Sequence, residues 1–355
     1  AVANEAIRPA THKLPVDLIA EGGWTGGVSF WREANLDAEA ERIVSVVKDN
    51  LQLGKKLEEH TVLFRTNAQS RALEEAFLSA QIPYVVVGGT SFYERKEVKD
   101  LLAYLRTALG REVETNLRRC VNAPFRFIGT ATVDKLLSQL KANGGNVERA
   151  TMSTPGLQGR QVASLRQWLA ALDAVSHAAI AMADPEAHNA PKTVGAIIDA
   201  LERAVGYCDW LRKDQGEESV ESSHVANVKE LIRVAERFTS VESFLDFIDD
   251  TIAKAKDAKK ESGTGRVLLM SIHRSKGLEW PYVFVCGCSE GILPHPRGDA
   301  DEERRLFYVA VTRAAQHCYL TSPATLALRT GLKEVASSRF VSEVIGLIGV
   351  QSATD

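Results

Sequence analysis

The stretch VLLMSIHRSKGLEW, residues 267–280, carries the decisive pattern. The apolar run from Val267 to Ile272 reads as a buried strand. It gives way at once to a polar loop holding Ser271, His273, Ser275, Lys276 and Gly277, and a carboxylate, Glu279, follows. In open α/β sheets, ligands bind beyond the carboxyl ends of the strands, so hydroxyl, imidazole and ammonium groups placed there suit phosphate contacts. A polar surface loop turning at Gly277 explains the same composition more simply, since strand-to-loop transitions are routinely polar.

Working outward, further strands are expected at Tyr282–Cys286 and Cys318–Thr321, with a helix at Glu302–Arg313 and a closing amphipathic helix at Ser338–Leu347. Toward the amino end, short strands at Val28–Arg32, Thr61–Phe64 and Tyr84–Val87 alternate with helices at Asp37–Asn50, Ser70–Ala80 and Val98–Leu109. Leu73, Ala76, Phe77 and Ala80 repeat at the spacing of a buried helical stripe. Between these flanks the chain is Ala-rich and helical in period. Alternation on both sides of a helical block predicts an α/β fold, one parallel-sheet domain split by an all-helical insertion. The expected parts are 1–110, 111–262 and 263–355.

With 355 residues, 45% hydrophobic and 25% charged, the chain has the balance of a globular protein of two or three domains. No run reaches the ~18 to 20 apolar residues of a membrane span, and Glu5, Pro9 and Asp17 interrupt any signal-like start, so a cytoplasmic protein with no membrane partner is expected. The five cysteines are sparse and odd in number, which disfavours a disulfide scaffold. Cys286 and Cys288 lack the partners of a metal site, so none is expected. A net charge of −3 argues against a uniformly basic nucleic-acid binder, but not against a locally basic groove.

Two further stretches hold candidate residues. In EERRLFYVAVTRA, residues 302–314, Leu306, Val309 and Ala310 form one helix face, and Arg313 falls seven residues after Leu306 on that face. A guanidinium there needs a carboxylate, a path to the helix end, or an anionic ligand. In FRTNAQSRALEEAF, residues 64–77, Arg65 and Asn67 leave a strand just before a helix that Ser70 is suited to cap. Arg65 has no neighbouring acid to account for it. No G-x-x-x-x-G-K-[ST] phosphate loop occurs anywhere, so the usual route to nucleoside triphosphate hydrolysis is closed to this chain alone.

Ser271–Glu279, Glu290-Gly-Ile-Leu-Pro-His295 and Glu302–Arg313 closely resemble motifs V and VI of the UvrD/PcrA/Rep family of superfamily 1 DNA helicases. Phe64–Arg71, Gly88–Asp100 and Ser338-Arg-Phe340 are similar to other conserved blocks of that family, in the same order. The resemblance implies the C-terminal half of an ATP-dependent 3′-to-5′ helicase or translocase of repair or replication. Its RecA-like motor domain 2A would be split by a helical 2B insert, with a P-loop domain and the Mg²⁺ ligands upstream of Ala1. It further implies that Arg313 is an arginine finger, that Glu279 and Gly277 belong to the ATP site, and that Arg65, Asn67, His273 and Ser275 contact single-stranded DNA. Partners implied are single-stranded DNA, a duplex junction, the P-loop domain and repair accessory proteins. Phe127-Ile128-Gly129 stands where the family has Gly-Ile-Gly in a duplex-contacting loop, which bears on whether Gly129 meets duplex. Two other readings remain: a non-catalytic DNA-binding or partner-docking module that kept the fold, and the helicase subunit of a recombination nuclease.

Overall fold

The computed structural model describes residues 1–11, 26–88, 90–184, 186–214, 224–260, 265–328 and 331–350. The chain divides into two compact units. One is formed chiefly by Ala1–Phe92 and Thr251–Asp355, the other by Tyr93–Glu218 and His224–Asp250. The expected division at 110/111 places helix Lys96–Ala108 with the sheet, whereas it clusters with the helical unit. The other expected division, 262/263, lies outside the described residues.

The first unit contains α1 (Val2–Ile7), β1 (Gly27–Glu33), α2 (Leu36–Gln52), β2 (His60–Phe64), α3 (Ser70–Ser79) and β3 (Tyr84–Val86). The second holds α4 (Lys96–Ala108), α5 (Val113–Cys120), α6 (Thr130–Ala142), α7 (Val147–Ser153), α8 (Gly159–Ala183), α9 (Val194–Val205), α10 (Tyr207–Asp214) and α11 (His224–Ala235). Helix α12 (Val241–Lys260) leads back toward the first unit, which resumes with β4 (Val267–Ser271), β5 (Trp280–Val285), α13 (Ala300–Thr312) and β6 (Ala314–Pro323). It closes with the hairpin β7 (Thr325–Leu328) and β8 (Gly331–Glu334), then α14 (Arg339–Val344) and β9 (Gly349–Val350).

Seven strands form one sheet in the order β3-β4-β2-β5-β6-β1-β9, and every pairing in it is parallel. Side chains alternate across it, as period-two geometry requires. Leu63, Val283 and Val285 join a core with Leu306 and Phe307 of α13 and Phe340 of α14. Val62, Phe64, Tyr282 and Phe284 point the other way, onto Ile43 and Val47 of α2 and Leu73 and Phe77 of α3. Both faces are therefore covered, and all five residues of β2 are buried. The expected α/β class with a parallel sheet is what the chain adopts.

Several elements go beyond the sequence reading. β6 runs for ten residues rather than four, because its first half, Ala-Ala-Gln-His, lies only partly buried and carries no apolar signal. Helix α1 is too short for periodicity to register, and so are the strands of the β7–β8 hairpin. In the helical unit, Trp168 and Tyr104 are completely buried, and the Tyr207 hydroxyl, buried with them, donates to Asp100 at 2.7 Å.

Candidate functional site

The parallel register sorts the candidate residues by sheet edge. Phe64 of β2 lies opposite Ser271 of β4, so Arg65, Asn67 and the turn Ile272–Ser275 emerge side by side at the carboxyl edge. Gln69 shapes this edge: its Oε1 accepts the backbone N–H groups of Arg65 at 3.0 Å and Thr66 at 2.9 Å, tightening the turn that presents Asn67. Asn67 and His273 are half-buried. Ser275 is fully buried, and its hydroxyl donates to the Ile272 carbonyl at 2.7 Å, which holds the turn under His273. The buried Ser271 hydroxyl has no partner among the described residues.

Arg65 is placed differently from expectation. It is 4% exposed, and its guanidinium is paired with Glu303 of α13, Nη2 to Oε1 at 2.6 Å and Nε to the two carboxylate oxygens at 3.0 and 3.1 Å. The acid that accounts for it lies 238 residues away in sequence, beyond any local pattern. Its third nitrogen, Nη1, is buried without a hydrogen-bond partner among the described residues. Glu303, completely buried, also accepts the His295 backbone N–H at 2.9 Å. Burial holds the His295 imidazole below its usual range, helped by the nearby charges of Arg65 and Arg297 and opposed by Glu303.

Of the other three candidates, Glu279 and Arg313 meet at the opposite, amino edge, and Gly277 lies in the crossover that leads there. Trp280 at the start of β5 pairs with Ala314 at the start of β6, and the Trp280 N–H donates to the Arg313 carbonyl at 2.9 Å. Glu279 just before β5 therefore stands beside Arg313 just before β6. Arg313 is not enclosed on the buried face of α13. The helix ends at Thr312, so the seventh position after Leu306 is the C-cap, and Arg313 is half-buried there. Its Nη1 donates to the Leu278 carbonyl at 2.8 Å, Nε to the Val309 carbonyl at 3.1 Å and Nη2 to the Thr312 hydroxyl at 3.0 Å. These oxygens at a helix C-terminus favour a cation but do not neutralise it. Among the described residues no carboxylate pairs with Arg313. Glu279 is exposed, and Gly277 adopts φ +83°, a left-handed turn that a side chain would strain.

The residues at this edge fit the outer contacts of a nucleotide, a cation for phosphate and a carboxylate for ribose, but they form no phosphate cradle. Among the described residues no three or more His, Cys, Asp or Glu side chains gather into a metal-binding group, and no helix is long and apolar enough to cross a membrane. Sequence reasoning missed Glu303, and it missed Glu39, a buried acid of α2 that accepts the Gly287 N–H at 2.8 Å and the Thr321 hydroxyl at 2.7 Å. Burial pushes the Glu39 carboxyl up to about 7, against the pull of those two donors.

A family model described as the UvrD-like helicase C-terminal domain matches residues 2–324. The chain is 32% identical over 356 residues to the ATP-dependent DNA helicase PcrA of Staphylococcus epidermidis, an alignment covering 96% of this chain and 47% of that protein. It is 32% identical over 362 residues to PcrA of Bacillus subtilis, with the same coverage of each. The chain thus spans about half the length of the curated relatives it matches. With the motifs on one continuous parallel sheet and the match running through both units, the chain belongs to the UvrD-like helicase C-terminal domain family.

Proposed function

We propose that this chain is the C-terminal motor half of an ATP-dependent 3′-to-5′ DNA helicase or translocase acting in repair or replication, in the cytoplasm. The parts 1–110 and 263–355 correspond to domain 2A and 111–262 to 2B, apart from α4, which clusters with the helical unit. Arg313 is the arginine finger, and Glu279 with Gly277 faces the ribose end of the same nucleotide. Asn67 and His273 form half of a single-stranded DNA track on the opposite edge, with Ser275 and Arg65 supporting them from behind. A P-loop domain supplies the phosphate cradle and the Mg²⁺ ligands; repair accessory proteins and a duplex junction are further partners. ATP hydrolysis supplies the free energy, and this chain's part is to hold a cation where charge develops on transfer.

The observation that carries this reading is Arg313 itself. It is a half-buried guanidinium beside an exposed carboxylate, bonded to carbonyls and a hydroxyl but to no acid among the described residues. A non-catalytic module that merely kept the fold gains nothing from leaving that charge uncompensated. In the full-length polypeptide, Arg313→Ala should lower the kcat of DNA-stimulated ATP hydrolysis by ~10³-fold or more while changing nucleotide affinity little. Steady-state kinetics with a parallel nucleotide-binding titration checks this, and full turnover by the variant removes the assignment.

A further inference from the structure

Resting on the reading just proposed, we infer that Glu303 is a positioning residue: its ion pair with Arg65 makes α13 a strut that sets Arg313 at one edge of the sheet according to what occupies the other. Glu303 stands in the first turn of α13 and Arg313 caps its last. Ten residues at ~1.5 Å each separate them by ~15 Å, the span from the carboxyl edge to the amino edge.

Helix α13, ADEERRLFYVAVT, contains neither Gly nor Pro and is fixed along its length, so it shifts as a body rather than bending. Asp299 caps it, accepting the N–H groups of Asp301 and Glu302. Arg304 bonds the Ala6 carbonyl at 2.9 Å and pairs with Glu343. Phe307 packs on Phe340 with ring centroids 5.6 Å apart. At the far end, the Arg313 side chain bonds the Val309 carbonyl and the Thr312 hydroxyl of the helix and the Leu278 carbonyl in the turn before β5, so a shift of the helix moves it relative to that turn.

Stability alone does not account for the Arg65–Glu303 pair. A buried ion pair is commonly no better than apolar residues of the same volume, and this one leaves Nη1 without a partner among the described residues, which costs stability. What an apolar pair cannot do is respond to charge. A phosphate arriving beside Asn67 and His273 competes with Glu303 for Arg65, and any change in that pairing acts directly on the top of α13. The packing leaves Glu303 little room to move independently: a Cβ on Gly298 would stand 2.2 Å from its Oε1.

The test uses the full-length polypeptide at saturating ATP. Glu303→Gln keeps the size and an acceptor for the His295 N–H but removes the attraction for Arg65. The expected result is a fall of about tenfold or more in the ratio of ATPase rate with saturating single-stranded DNA to the rate without it, with KM for ATP changed less than about threefold. The double variant Arg65→Met, Glu303→Leu should melt at or above the temperature of Glu303→Gln yet lose the same ratio, which separates positioning from structural support. It also carries the test should Glu303→Gln fail to fold. A folded variant of either kind that keeps the ratio within about twofold overturns the strut. Loss of turnover in Arg313→Ala, measured alongside, would then leave the finger assignment standing, and full turnover there would instead remove the reading on which the strut rests.

Discussion

Glu39 is a carboxyl whose surroundings oppose its ionisation. It lies buried in α2, takes hydrogen bonds from Gly287 and Thr321, and is nonetheless raised from 4.5 to about 7 because burial outweighs both donors. Below pH ~4.5 the group is protonated in native and unfolded chain alike. As pH rises toward 7 the unfolded chain releases its proton and the native state keeps it, so stability falls, by about 3 kcal/mol in all. Glu39→Gln should remove this slope: thermal melts should show the variant gaining on the wild type between pH 5 and 8, and a pH-independent difference would contradict the burial argument. Neither this residue nor Glu303 was legible in the sequence. An acid in an amphipathic helix looks solvated, and Glu303 sits in a run of four charges, EERR, that reads as an exposed paired face. Arg313 was legible as an anomaly, since a cation in register with Leu306 needs a reason. The structure relocates the reason from a buried face to a helix end.

At the scale of elements, periodicity located the central strands of the sheet and the longer helices covering them, because fully covered parallel strands such as β2 are apolar throughout and their helices carry one apolar stripe. Ends were less legible, since they depend on caps. Helix α2 starts at Leu36 because the Asn35 Oδ1 accepts the N–H groups of Asp37 and Ala38, each at 3.0 Å. Asn35→Ala should therefore cost about 1 kcal/mol, read as a lower melting temperature with an unchanged denaturant m-value. The loop before α6 shows the same dependence on backbone detail. Phe127 adopts φ +61°, a backbone glycine takes freely; Gln161 Nε2 donates to its carbonyl at 2.8 Å, and the Arg160 guanidinium lies 3.6 Å from its ring. The backbone a glycine would take freely is kept, held by contacts that no motif comparison of the loop alone reveals.

For the whole molecule, the decisive relation is that the candidate residues divide between opposite edges of one sheet, Arg65, Asn67 and His273 at one and Glu279 and Arg313 at the other, with Ser275 and Gly277 in the crossover between them. That division follows from strand order and direction. Linear sequence concealed it because the crossover from β4 to β5 runs from one edge to the other within a few residues, and Ser275 and Gly277 belong to that crossover, in a turn where the Leu278 N–H donates to the Ser275 carbonyl at 3.1 Å. An edge with one cation and one carboxylate makes too few contacts to hold a triphosphate, whose charge calls for several backbone N–H groups and a metal. The isolated chain should fold cooperatively, bind ATP weakly or not at all, and show no ATPase. Joined to a P-loop motor domain it should gain hydrolysis that single-stranded DNA stimulates and added salt suppresses, as phosphate contacts require. Calorimetric titration with ATP and a coupled ATPase assay on both forms decide the matter, and substantial hydrolysis by the isolated chain would show that the amino edge holds more of the catalytic apparatus than one guanidinium can supply.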